Sequence, residues 1–378
     1  MNPLKDLEQF GQAPWLDNLS RGLVQSGELK RLADEEGIKG LTSNPAIFEK
    51  SIGHSDEYDE EIAALLKAGT TDIAAIFRRL AVADIQAAAE ALTPVYKKTK
   101  GVDGYVSLEV SPYIAHDEAA TVAEAREIWA DVGRPNLMVK VPATAEGIPA
   151  FQTLISEGIN VNVTLLFAKD VYVKVAEAYI AGLEDRAVQG QPVDRVASVA
   201  SFFLSRIDVL LDPRLEKLAA SGGPQAPGAR ELIGQVAIAS AKAAYTIYQV
   251  IFGSARFKKL AANGARPQRL LWASTSTKNP AYPDLKYVEP LIGADTVNTL
   301  PPETLAAYRD HGDPAARLTE GVDRAAGFMQ RLPEMGIDLD RATQQLEDEG
   351  VEKFNQPFDS LMATLEGKRR EVLAGRTS

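Results

Sequence analysis

Asn136-Leu137-Met138-Val139-Lys140-Val141-Pro142 reads as a short buried strand with one charge inside it. Four hydrophobic residues, two of them β-branched, favour extended chain, and the closing proline ends it by removing an N–H. Alternation puts Leu137, Val139 and Val141 on one face and Met138 and Lys140 on the other. A lysine is almost never fully buried unless it is paired or employed. Burial penalises an ammonium more than a neutral amine, and a neutral amine can attack a ketone and form a Schiff base. A lysine with its stem on apolar surface and its head in water satisfies the same seven residues equally well.

Similar short apolar runs lie on both sides of this one. Strands are expected at Ile38–Thr42, Tyr105–Val110, Ile159–Thr164, Val196–Phe203, Leu270–Ala273 and Ala294–Val297, with a weaker one near Trp15–Asn18. Between them run alanine-rich helical patterns at Ala81–Leu92, Ala119–Trp129, Ala168–Ala181 and Glu231–Phe252. Eight strands alternating with helices predict an α/β fold, a closed (β/α)8 TIM barrel. Such a barrel needs about 250 residues, so helical elaborations are expected at about 45–102, 207–268 and 301–378 of the 378-residue chain. The glycine- and proline-rich Ser221–Gly228 predicts a mobile surface loop. No break in composition calls for a second domain, so 1–378 is expected to form one decorated domain with a C-terminal helical extension.

Composition narrows the chemistry. The chain has no cysteine, which excludes disulfides, thiolate metal sites and a cysteine nucleophile. Its three histidines, His54, His116 and His311, are far apart and lack ligand-spaced partners, so neither a metal site nor a Ser-His-Asp triad is expected. A net charge of −11 with no basic stripe argues against nucleic acid as a partner. No run of about 18 apolar residues points to a membrane span. The stretch Met1–Leu19 carries Asp6, Glu8 and Asp17 and has no apolar core, so no secretory leader is expected and the cytoplasm fits best. No Gly-x-Gly-x-x-Gly or Walker-type loop is present to bind a nucleotide.

In a barrel of this kind the chemistry gathers where the strands end. Alternation leaves Ser107 and Glu109 opposite Val106, Leu108 and Val110, and leaves Asn160, Asn162 and Thr164 opposite Val161, Val163 and Leu165. These residues and Lys140 occupy three consecutive strands about 4.8 Å apart, so Glu109, Lys140 and Thr164 can meet around one small molecule. Each also has an ordinary role. Glu109 can simply pair with Lys140, and Asn162 and Thr164 can bond within the core. Asn44 can cap the helix that Pro45 begins, and Asp17 can serve a turn.

The motifs Leu41-Thr42-Ser43-Asn44-Pro45, Val106-Ser107-Leu108-Glu109-Val110, Met138-Val139-Lys140-Val141-Pro142-Ala143-Thr144 and Asn160-Val161-Asn162-Val163-Thr164-Leu165-Leu166-Phe167 occur in that order. Together they resemble the transaldolases, over a region from Trp15 to the helical segment Glu349–Lys368. The chain length suggests a long subfamily. The resemblance implies a transferase of the pentose phosphate pathway that moves a dihydroxyacetone unit between sugar phosphates through a lysine Schiff base. The donor would be sedoheptulose 7-phosphate or fructose 6-phosphate, and the acceptor glyceraldehyde 3-phosphate or erythrose 4-phosphate. It implies no cofactor and no metal, and leaves a monomer or a homodimer open.

Residue by residue, the resemblance makes Lys140 the nucleophile and Asp17 the base for the C4 hydroxyl. It gives Glu109 and Thr164 the water that carries protons during imine formation. Asn44 and Asn162 would bind hydroxyls of the transferred unit, with Thr42, Ser201 and Phe203 lining the same space. Arg206 matches an arginine that grips the substrate phosphate, a task suited to a forked guanidinium. In Trp272-Ala273-Ser274-Thr275-Ser276-Thr277-Lys278-Asn279 a second arginine of the shorter relatives is missing, and Ser274 and Lys278 are the candidates to replace it. Phe354 and Phe358 would lie on a helix that covers the barrel mouth. Two rivals remain: a fructose-6-phosphate aldolase, against which the resemblance sets Glu109, Phe203 and chain length, and a barrel that binds without catalysis.

Overall fold

The computed structural model describes residues 2–374. Eight parallel strands close into a barrel in sequence order: β1 (Gln12–Asp17), β2 (Gly40–Thr42), β3 (Tyr105–Glu109), β4 (Leu137–Pro142), β5 (Val161–Leu166), β6 (Ser198–Phe203), β7 (Arg269–Ala273) and β8 (Thr296–Leu300). Pairing of β1 with β8, Gln12 opposite Thr296, closes the ring. Because helices cover the outside and side chains fill the inside, the strands are buried on both faces, as β4 and β5 are at every residue.

The principal helices are α1 (Ile73–Lys98), α2 (Glu118–Val132), α3 (Gly147–Glu157), α4 (Lys169–Val188), α5 (Ser205–Ala220), α6 (Val236–Phe252), α7 (Pro302–His311), α8 (Val322–Arg331) and α9 (Leu339–Leu373). Aspartates start three of them: the side chains of Asp72, Asp117 and Asp338 accept from backbone N–H groups three residues on, supplying partners that a first turn lacks. The three expected elaborations are helical. The first holds α1 and two shorter helices, the second runs from α5 through α6, and the third holds α7 to α9.

Several boundaries differ from the sequence reading, β1 beginning at Gln12 rather than near Trp15 among them, and three of the differences have a clear physical reason. β8 runs to Leu300, past the expected end at Val297, because Asn298 and Thr299 are buried strand residues rather than a polar loop. The expected helix Glu231–Phe252 is two helices, broken where Gly234 takes φ +67°. In Ser221–Gly228, Pro227 and Gly228 belong to the short helix Ala226–Leu232 instead of a loop, since proline is well tolerated in a first helical turn.

Inside the barrel, side chains stack in layers. The lower layers hold Trp15, Tyr105, Met138, Val199, Leu271 and Val297. Trp15 crosses beneath β2, and a Cβ on Gly40 would come within 2.5 Å of its ring, so only glycine fits there. On five of these six strands the next inward position is polar (Asp17, Ser107, Lys140, Ser201 and Thr299), and on β7 it is Ala273.

Candidate active site

Lys140 points into the barrel from β4 and is 5% exposed. Its Nζ donates to the Ser43 carbonyl at 3.0 Å and lies 3.3 Å from Glu109 Oε2 on the neighbouring strand. Register explains the pairing, because Glu109 sits directly opposite Lys140. The Glu109 side chain is 8% exposed. Burial raises its pKa above the ordinary 4.5, against the opposing pull of Lys140. A carboxyl held in this way can take up a proton more readily than one in water.

Beside this pair the buried Thr164 Oγ1 has no hydrogen-bond partner among the described residues. Thr164 lies across from Pro142, at the upper end of β5. Leu165, immediately after it, takes φ +59°, and the β5–β6 register shifts between Val163 and Leu166. That irregularity interrupts the ladder beside Thr164, and strained backbone of this kind gathers at functional sites.

Asp17 ends β1, where it accepts from Thr42 Oγ1 at 2.8 Å. Burial raises its pKa above the ordinary 3.8, while the Lys140 charge and the Thr42 and Ser274 hydroxyls pull it down. Ser274 takes φ +50°, and its N–H donates to Thr299 Oγ1 at 3.0 Å. Asn162 links two strands: its Nδ2 donates to Ser107 Oγ at 3.1 Å, and its Oδ1 accepts from Ser201 Oγ at 2.6 Å. Asn44 caps the one-turn helix Pro45–Phe48 through Oδ1, which leaves its Nδ2 free to donate. Its capping and site roles are therefore compatible.

Arg206, in the first turn of α5, lies 5.7 Å from the centre of the Phe203 ring. Its Nη1 is buried and has no partner, and burial lowers its pKa. Phe203 in turn stacks on Phe167 at 5.3 Å. Lys278 is exposed and donates to Ser276 Oγ at 2.8 Å, two residues before it. None of the described hydrogen bonds or ion pairs joins Lys278 to Lys140, Asp17 or Arg206.

Above the strands lies α9, with Phe354 5.8 Å from Lys140 Nζ. Gly350 lets the helix approach, since a Cβ there would stand 3.0 Å from Leu165 Cδ2. Ion pairing of Lys368 with Asp59 and a hydrogen bond from Ser360 to Glu49 at 3.1 Å hold the far half of α9 down. A cavity of about 700 Å3 runs between α1 and α2 and reaches Asn44 and Glu109, with Phe358 of α9 in its wall. Sequence reasoning missed the Ser43 carbonyl, because a backbone acceptor leaves no mark on residue identity.

Among the described residues, no group of three or more His, Asp or Glu side chains is arranged to hold a metal ion, and no single helix is long and apolar enough to cross a membrane. Residues 14–365 match the family described as transaldolase/fructose-6-phosphate aldolase. A protein of Nostoc sp. (strain PCC 7120) named transaldolase 2 is 49% identical over 373 residues, covering 97% of this chain and 98% of that protein. Proteins named transaldolase from Trichodesmium erythraeum and Thiobacillus denitrificans are 49% and 46% identical, covering 98% and 97% of this chain and 98% and 100% of their own lengths.

Proposed function

This chain belongs to the transaldolase/fructose-6-phosphate aldolase family, and from that premise we propose that it is a transaldolase working through a Schiff base on Lys140. The amine attacks the C2 carbonyl of a ketose phosphate and forms a carbinolamine. Glu109, 3.3 Å from the amine and pushed toward its protonated form, accepts the amine proton and returns it to the departing hydroxyl through a water held with Thr164. The protonated C2 hydroxyl leaves as a second water, and the nitrogen lone pair closes the C=N bond of the protonated imine.

Asp17 then removes the C4 hydroxyl proton. The C3–C4 electron pair flows into the imine, the aldose phosphate leaves, and an enamine remains on Lys140. An incoming aldose phosphate is attacked by the enamine carbon, Asp17 returns its proton, and hydrolysis frees the new ketose. Thr42 keeps the Asp17 carboxylate aimed, and the Ser107–Asn162–Ser201 chain orients hydroxyls of the transferred three-carbon unit. The phosphate lies on Arg206.

The observation that carries this reading is a buried lysine amine on an inward strand position, 3.3 Å from the buried Glu109 carboxylate, with the partnerless Thr164 Oγ1 on the next strand. Buried polar atoms in folded proteins nearly always have partners, and a shuttling water gives Thr164 Oγ1 one. The substrates are sedoheptulose 7-phosphate or fructose 6-phosphate with glyceraldehyde 3-phosphate or erythrose 4-phosphate, in the non-oxidative pentose phosphate pathway. The test measures free dihydroxyacetone formed from fructose 6-phosphate with and without erythrose 4-phosphate. A transaldolase forms sedoheptulose 7-phosphate far faster than it releases dihydroxyacetone. Release as fast as transfer makes the chain an aldolase instead.

A further inference from the structure

Arg206 brings one buried, partnerless nitrogen to the mouth of the barrel. No hydrogen bond or ion pair holds its guanidinium among the described residues; the group rests near the Phe203 ring. Its aim therefore depends on how the first turns of α5 are held. No side chain caps that helix at Leu204. Pro213, inside α5, cannot donate to the Val209 carbonyl, so the ladder joining the first two turns to the rest is interrupted.

Two buried carboxylates hold this segment instead. Asp208 and Asp212 are 1% and 4% exposed and lie on one face of α5, four residues apart. At the start of α6, the N–H groups of Ala237 and Gly234 donate to Asp208 Oδ1 at 2.9 Å and to Asp212 Oδ1 at 2.8 Å. From the segment between β7 and β8, the Tyr287 hydroxyl donates to Asp208 Oδ2 at 2.9 Å and the Tyr282 hydroxyl to Asp212 Oδ2 at 2.5 Å. Lys286, on the same segment, donates to the Gly234 carbonyl at 2.6 Å. Each carboxylate thus takes one bond from α6 and one from the β7–β8 segment, which offsets its burial.

We propose that Asp208 and Asp212, with Tyr287 and Tyr282, are positioning residues for phosphate recognition: they clamp the first two turns of α5 and so aim Arg206 into the site. The inference rests on the sugar-phosphate reading of the site. Residues two apart on a helix do not face each other, so Asp208 holds the turn without capturing the guanidinium two residues before it. A carboxylate bonded to Arg206 would compete with the phosphate. The clamp fixes the arginine from behind and leaves its fork to the substrate.

The experiment measures kcat and KM with fructose 6-phosphate and with unphosphorylated fructose as donors, and the binding of inorganic phosphate by calorimetry. It compares the parent enzyme with Asp208→Ala, Asp208→Asn, Tyr287→Phe, Arg206→Met and the double variant Asp208→Ala/Arg206→Met. Asp208→Ala is expected to lower the preference for the phosphorylated donor about tenfold, in KM rather than kcat, and to weaken phosphate binding to match. Tyr287→Phe keeps the ring and removes one hydrogen bond, and should lower the preference about threefold; it carries the test if Asp208→Ala does not fold. Asp208→Asn should restore most of the loss, because its amide oxygen still accepts from Ala237 and its NH2 can donate to the tyrosine hydroxyl. In the Arg206→Met background, Asp208→Ala should change the preference no further.

A purely structural Asp208 would lower activity on both donors alike, and equal losses in Asp208→Ala or in Tyr287→Phe would overturn the proposal. So would losses that simply add in the double variant. An Arg206→Met enzyme that keeps its preference for the phosphorylated donor would leave the clamp nothing to aim and would overturn it as well. Phosphate binding that behaves as expected in an enzyme that transfers nothing would instead overturn the transaldolase reading and leave the clamp assigned.

Discussion

Below the middle of the barrel, Asp103 accepts from Trp15 Nε1 at 3.1 Å and pairs with Arg269 at 2.9 Å. Two residues above Trp15 on β1 stands Asp17, and four above Tyr105 on β3 stands Glu109, both with pKa values raised by burial. A satisfied carboxylate, in the bend just before β3, thus lies below the barrel, and two carboxyls destabilised by burial lie at its upper end. The lower end packs aromatic rings and pairs Asp103 with Trp15 and Arg269. At the upper end stand the buried Lys140–Glu109 pair and Asp17, the groups on which the proposed chemistry depends. The difference shows how one pattern of alternation serves both tasks in a TIM barrel.

Substitutions sharpen that contrast when each end is made to answer for its own property. Lys140→Met should lower turnover by about 10^4 or more, as loss of a covalent nucleophile does. Steady-state kinetics and inhibition by a ketose phosphate should show that binding survives. Activity close to that of the parent would erase the distinction between the two ends.

Asp17→Asn should lower turnover by roughly 10^2- to 10^4-fold, through loss of the base. It should also raise the melting temperature by about 1–3 °C, because it removes a buried charge that folding opposes. A fall in both quantities would mean that Asp17 serves structure. At the other end, Trp15→Ala should destabilise the fold by about 3–5 kcal/mol in chemical denaturation, with kcat nearly unchanged in the protein that stays folded. Loss of kcat without loss of stability would break the comparison.

Phe354→Ala uncovers Lys140 and should raise dihydroxyacetone release relative to transfer by roughly tenfold, because water then competes for the enamine. Unchanged partitioning would show that Phe354 does not guard the intermediate.

The smallest effect is in pH dependence. Only ionised Asp17 can take the C4 proton, so kcat/KM should fall as pH drops through a value above the ordinary carboxylate range near 4. Stability runs the other way. A carboxyl whose folded pKa is raised binds protons more tightly when folded, so protonation favours the folded state and ionisation opposes it. Asp17 and Glu109 therefore contribute no acid unfolding across that window. An acid limb at the ordinary carboxylate value would show that burial does not control the base.

Much of this was legible in the sequence because the site residues interrupt an otherwise apolar alternation. Glu109, Lys140, Asn162 and Thr164 occupy positions where a buried strand should hold hydrophobic residues, and period two carries them all inward. Trp15 and Tyr105 follow the same rule without any chemistry, so alternation alone does not separate the two ends. The end of β8 escaped notice because Asn298 and Thr299 look like a loop until neighbouring strands bury them. Backbone features were hidden as well: the Ser43 carbonyl on Lys140, and the positive φ of Leu165 and Ser274, depend on where the chain is held.

The central claim is a covalent bond between Lys140 and the transferred sugar, and reductive trapping tests it most directly. Borohydride added with fructose 6-phosphate should reduce the imine to a secondary amine and inactivate the enzyme. Peptide mass spectrometry should then find the added mass on the peptide that contains Lys140. Trapping at a different lysine, or an active enzyme that borohydride and substrate leave unmodified, would contradict the account.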